Sequence, residues 1–113
     1  MPGRPVKILL EDVLESIDKT EKYTAGLSLE EFSTSDLVMD AVERNIEVIG
    51  EVCRQLPASF LNEHIEVECH KPVSMCNRLI HGYFSVDILL LWNTITIVPP
   101  GFRKQIAHLL NIL

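Results

Sequence analysis

Between Ser35 and Pro57 the chain places Val38, Val42, Ile46, Ile49, Cys53 and Leu56 at successive spacings of four, four, three, four and three. That is the repeat of one face of an α-helix, and it is incompatible with a strand, whose side chains alternate at every second residue. Leu37, Ala41, Val48 and Val52 widen the apolar arc. An arc this wide needs cover on two sides, so the helix is either central in a bundle or also meets a second protomer. Ser33-Thr34-Ser35 offers hydroxyls to its first turn, and Pro57, which has no N–H to donate, bounds its other end.

Upstream, Val6, Leu10, Val13 and Ile17 recur at four, three and four, which predicts a helix from about Arg4 to Tyr23 with Glu15–Lys19 and Asp18–Lys22 pairs on its solvent face. Ala25-Gly26 ends it, because glycine readily takes the left-handed conformation just past a helix. Ser28 is placed to cap a single turn through Phe32. Ala58 to Ile65 reads as a short amphipathic segment, and Pro72 suits the first turn of a helix carrying Met75 to Ile80. Ser85 can cap a further helix from Val86. The stretch Ile88 to Val98 is rich in residues that also favour strands; helix is expected because no second strand is available to pair its backbone groups. Pro99-Pro100-Gly101 is expected to break the chain before a last amphipathic helix marked by Phe102, Ile106, Leu109 and Leu113. The whole pattern is all-α and reads as one domain over residues 1–113, without repeats or linkers.

With 47% hydrophobic and 23% charged residues, the chain can bury a core without disulfides or a metal. Its N-terminus shows no secretory pattern, which makes the cytoplasm the expected location and reduced thiols the expected state of Cys53, Cys69 and Cys76, read as small apolar fillers. The longest uncharged stretch, Ile88 to Phe102, is too short and too broken by prolines and a glycine to span a membrane. No CxxC or HxxxH spacing points to zinc, and no cofactor is expected. The net charge of -6 is unevenly distributed: fifteen of sixteen acidic residues precede Cys69, whereas the remainder sets Lys71, Arg78, Arg103 and Lys104 against Asp87 alone. The C-terminal part is therefore the one suited to face phosphate, unless the acidic excess merely marks a solvated helix face.

The segment Met75-Cys-Asn-Arg-Leu-Ile-His-Gly-Tyr-Phe-Ser-Val-Asp87 resembles the signature of HepT-like proteins of the HEPN superfamily, an arginine followed after four residues by histidine, any residue and tyrosine. Asp40-Ala-Val-Glu-Arg-Asn-Ile-Glu-Val-Ile-Gly-Glu-Val52 is similar to that family's second long helix, and Trp92 falls where the next helix often carries one. The resemblance covers nearly the whole chain and implies an up-and-down, HEPN-like bundle of four to five helices that forms a homodimer or higher homo-oligomer. It further implies a metal-independent endoribonuclease at the dimer seam, RNA as substrate, and a minimal nucleotidyltransferase of the MntA type as antitoxin. On that pattern His81 transfers protons, Asn77 neighbours the scissile phosphate, and Tyr83 is the residue to which the partner can attach AMP. The chemistry is coherent: histidine titrates near neutrality and can act as base or acid, two copies across an axis can divide those roles, and an arginine fork can hold two phosphate oxygens.

One position departs from the pattern. Five residues before His81, where the motif arginine belongs, stands Cys76, whose thiol is mostly neutral at pH 7 and offers no fork of donors. Loss of one preorganised donor typically costs about 10²–10³ in rate, so weak or absent cleavage is expected. Arg78 lies three residues before His81, roughly 60° away around a continuous helix, and is the residue that could supply the missing charge. Cys69 also stands where the family pattern has tryptophan. Nothing places Cys76 in a nucleophile motif. The alternative function is a catalytically inactive subunit that dimerises and binds the nucleotidyltransferase; a plain nucleotide- or RNA-binding module would rest on the basic segment alone. Taken singly, His81 could be structural and Tyr83 a packed ring with its hydroxyl in solvent.

Overall fold

The first apolar stripe winds into α1 (Val6–Thr24), led in by Pro5 and ended by Ala25. Gly26 follows with φ of +76°, the left-handed turn expected of a glycine there. A Cβ at this position would meet nothing within 4 Å, so Gly26→Ala carries a purely conformational penalty. It should lower stability by about 1–2 kcal/mol, read as a fall in the urea midpoint at unchanged slope. The computed structural model describes residues 5–64, 69, 73–74, 88–97 and 99–113.

Ser28 caps α2 (Leu29–Ser33) through a capping box: the Glu31 N–H donates to Ser28 Oγ at 3.1 Å, and the Ser28 N–H donates to Glu31 Oε1 at 3.1 Å. The Ser28 backbone N–H foremost, and the Ser28 side chain after it, hold the Glu31 carboxyl below its ordinary pKa. The hydroxyls of Ser33 and Thr34 donate back to the carbonyls of Glu30 and Glu31, leaving Ser35 to cap α3 (Asp36–Gln55) by accepting from the Val38 N–H at 3.2 Å. Pro57 separates α3 from α4 (Ala58–Glu63), which stops short of the expected Ile65 and turns Phe60 inward.

The ambiguous stretch is helical: α5 spans Ile88–Ile97, and α6 follows as Pro99–Ile112. Pro99-Pro100-Gly101 was expected to break the chain ahead of this helix; instead all three residues lie within its first turn. The reason is that the first N–H groups of a helix have no intrahelical acceptor, so prolines lose nothing there, and their fixed φ already suits the helix. Phe102, Ile106 and Leu109 are buried as expected, but Leu113 is 58% exposed because the helix has ended. The chain is thus all-helical, as expected, with α1, α3, α5 and α6 as its longer helices and α2 and α4 as single-turn connectors among the described residues.

The wide arc of α3 is covered by two different clusters at two heights. Toward its C-terminal end Ile49, Val52, Cys53 and Leu56 join Leu9, Leu10, Val13 and Ile17 of α1, Phe60, Cys69, and Phe102, Ile106 and Leu109 of α6. Toward its N-terminal end Val42 and Ile46 join Phe32 of α2 with Leu91 and Ile95 of α5. Phe32 and Trp92 rings meet at 5.1 Å in a tilted contact. The central position of α3 within the chain thus accounts for most of its arc, but Leu37 remains 81% exposed.

Candidate functional site

Cys76, Asn77, Arg78, His81 and Tyr83, together with the expected helix over Met75 to Ile80 and the Ser85 cap, lie outside the described residues. The residues on either side of the motif are described. Upstream, Cys69 is buried, the Val73 N–H donates to the Cys69 carbonyl at 3.4 Å, and Val73 packs against the first core cluster. Downstream, α5 begins at Ile88, which packs against the second cluster. The chain bearing the motif therefore leaves one cluster and arrives at the other, with both of its ends held by apolar packing.

The charges around these anchors refine the sequence expectation. Asp18 was expected to pair with Lys22 along α1, but its Oδ1 accepts from Arg103 Nε at 2.8 Å, joining α1 to α6. The Asp18 carboxylate beside it raises the Arg103 pKa, so part of this exposed guanidinium's charge is balanced within the chain. The Glu15–Lys19 pair forms as expected, at 3.2 Å. On α3, partial burial raises the Glu43 pKa, with Glu47 and Asp40 adding like-charge repulsion. That face of the bundle concentrates negative charge and repels a polyanion.

A groove of about 410 Å³ runs between α1 and α3. Its floor includes Ser16, 5% exposed, and Asn45, 8% exposed, whose Nδ2 donates to the Ala41 carbonyl at 2.8 Å. Acidic Asp12 and Glu15 and basic Lys19 and Arg44 line it together, so their signs oppose one another and the groove does not concentrate positive charge as a phosphate site would. Neither Ser16 nor Asn45 stands out by motif; each is a polar residue set within the apolar pattern of a long helix. Among the described residues no group of three or more His, Cys, Asp or Glu is placed to hold a metal ion, and no helix is long and apolar enough to cross a membrane.

The ribonuclease HepT-like family matches residues 13–109, a span that includes the whole motif segment. A protein of Thermococcus cleftensis named "Probable ribonuclease HepT" is 36% identical over 106 residues, covering 94% of this chain and 96% of its own. A candidate RNase of Methanocaldococcus jannaschii is 32% identical over 111 residues, covering 98% of this chain and 92% of its own. Another candidate RNase, from Caldanaerobacter subterraneus, is 32% identical over 102 residues, covering 90% and 91%. No solved structure matches the chain.

Proposed function

Because the chain belongs to the HepT-like ribonuclease family, we propose that it is the toxin of a toxin–antitoxin pair, a metal-independent endoribonuclease of HEPN type whose site is shared by two subunits. Its activity is weakened by Cys76. The observation that carries this reading is the joint presence of Asn77, His81 and Tyr83 at motif spacing inside the span that the family matches. In the proposed mechanism one His81 imidazole takes the proton of the 2′-hydroxyl as that oxygen attacks phosphorus, and the partner subunit's imidazole protonates the leaving 5′-oxygen. Asn77 donates to a phosphate oxygen. Arg78 supplies part of the charge that the motif arginine would have held.

The apolar outer surface beside the second cluster supports a paired state. Leu37 at the start of α3 is 81% exposed and Leu89 on α5 is 59% exposed, although most of the other apolar residues of α5 pack within the chain. A second copy seated here would cover these two leucines. The antitoxin is a minimal nucleotidyltransferase of the MntA type that attaches AMP to Tyr83, placing a bulky anion two residues from His81.

Cys76 specifically favours a second reading, an inactive subunit that retains pairing and partner binding. Expression without the partner separates the two. Growth arrest by the unaltered chain, lost in His81→Ala, is the expected outcome; no arrest by the unaltered chain but arrest by Cys76→Arg would identify a disabled enzyme on an intact scaffold. Incubation with ATP and the partner should add one AMP mass to Tyr83, and an unmodified Tyr83 would reject that mode of restraint.

A further inference from the structure

The groove between α1 and α3 holds two polar side chains deeper in the protein than its charged rim. Asn45 of α3 is 8% exposed and spends one side-chain N–H on the Ala41 carbonyl, at 2.8 Å. Its second side-chain N–H and its Oδ1 have no partner among the described residues. Ser16 of α1, 5% exposed, lines the same groove, and it is the Ser16 carbonyl, not its hydroxyl, that accepts from Thr20 Oγ1 at 2.9 Å. A nearly buried amide and hydroxyl with unused bonding capacity, facing a hollow of about 410 Å³, are satisfied by whatever enters it.

The rim decides which charge can enter. On the α1 wall Glu15 and Lys19 hold each other at 3.2 Å, with side chains 65% and 49% exposed. A pair this exposed adds little to stability, so its carboxylate is readily shared with a competing ammonium. On the α3 wall Arg44 is exposed and has no ion-pair partner among the described residues. The groove therefore sets an open guanidinium fork on one side, a loosely held carboxylate on the other, and an amide with a hydroxyl on its floor.

We propose that this groove binds a small zwitterion with a carboxamide side chain, of which free L-glutamine is the model: carboxylate on Arg44, ammonium on Glu15, carboxamide against Asn45 and Ser16. A guanidinium takes a carboxylate through two parallel N–H donors. A carboxamide has both an acceptor and donors, and so answers the open groups of Asn45 in kind. The same layout disfavours a phosphorylated ligand, whose double charge would meet one unbalanced cation with Asp12 and Glu15 on the facing wall. The volume falls within the roughly 300–1,000 Å³ usual for small-ligand sites. A ligand gripped from both walls fastens α1 to α3 and stabilises the folded chain by mass action.

Titration of the isotope-labelled full chain with L-glutamine, followed by nuclear magnetic resonance, tests the assignment. Saturable shifts are expected at the Asn45 side-chain amide and at the backbone amides of Ser16 and Arg44, with a dissociation constant on the order of 1 mM. Arg44→Gln, a change at an exposed position, should weaken binding about tenfold or more and leave the unliganded spectrum unaltered away from residue 44. The α-amide of L-glutamine, which lacks the carboxylate, and N-acetyl-L-glutamine, which lacks the ammonium, should each bind at least about tenfold more weakly. Adenosine monophosphate should give no saturable shift in the groove. The proposal would be overturned by the absence of saturable shifts with L-glutamine up to about 50 mM, by shifts that map away from the groove, by unchanged binding in Arg44→Gln or of either blocked probe, or by saturation with adenosine monophosphate. Because the readout is binding alone, it is independent of whether the chain cleaves RNA.

Discussion

Cys76→Arg is expected to raise the rate of RNA cleavage by about 10²–10³-fold, the amount usually lost when one preorganised donor to a developing oxyanion is removed. The physical argument is that the transition state carries more charge on its non-bridging phosphate oxygens than the ground state does. A guanidinium presents two parallel N–H donors and a full positive charge, whereas a neutral thiol presents one weak donor. Cys76→Lys should recover less, because an ammonium supplies charge without the planar fork. Single-turnover cleavage of a fluorescent RNA in the presence of a chelator measures the effect, and His81→Ala added to Cys76→Arg should remove it. If Arg78 already fills the role, Cys76→Arg will gain less than about tenfold and Arg78→Ala will silence the unaltered chain.

Phe32→Ala should destabilise the protein by about 3–5 kcal/mol, the usual range for emptying a buried phenylalanine site. Phe32 is fully buried, is the one buried side chain that α2 contributes to the second cluster, and packs on Trp92. A helix of five residues has no stability of its own, so its attachment depends on that ring. Such a loss is a large share of the total stability of an ordinary domain. Phe32→Leu, which keeps most of the volume, should cost less than about 1.5 kcal/mol. Urea unfolding followed by Trp92 fluorescence reads both; a cost below about 1 kcal/mol for Phe32→Ala would mean that α2 is held by something other than its aromatic contact.

Local rules made most of this fold legible. The α3 stripe, the Ser28 and Ser35 caps, the turn at Gly26 and the helical state of α5 all follow from spacing, hydroxyl placement and the lack of a partner strand. What escaped the sequence is mostly tertiary. Asp18 has a plausible partner four residues away in Lys22, and only the packing of α6 on α1 brings Arg103 closer. Cys53 and Cys69 each read as an apolar filler, and their burial in one cluster depends on how the chain returns after α4. Pro99-Pro100 misled for a different reason: a proline pair both breaks the preceding element and begins the next, and spacing alone does not say where the new helix starts. At the proposed site it was the resemblance to the HepT-like pattern, and not periodicity, that singled out His81 and the altered position 76, while a seam shared by two copies would be a property of assembly and not of one chain's pattern.

The proposed seam is tested by mixing subunits. Chains carrying Cys76→Arg are co-refolded with an equal amount of chains carrying Cys76→Arg and His81→Ala, and the cleavage rate is compared with that of the Cys76→Arg protein at the same total concentration. If each cleavage needs an imidazole from both members of a symmetric pair, only dimers of two intact chains work and the rate falls to about one quarter. A fall to about one half would show that each subunit cuts alone, and would contradict a cleft built from two copies.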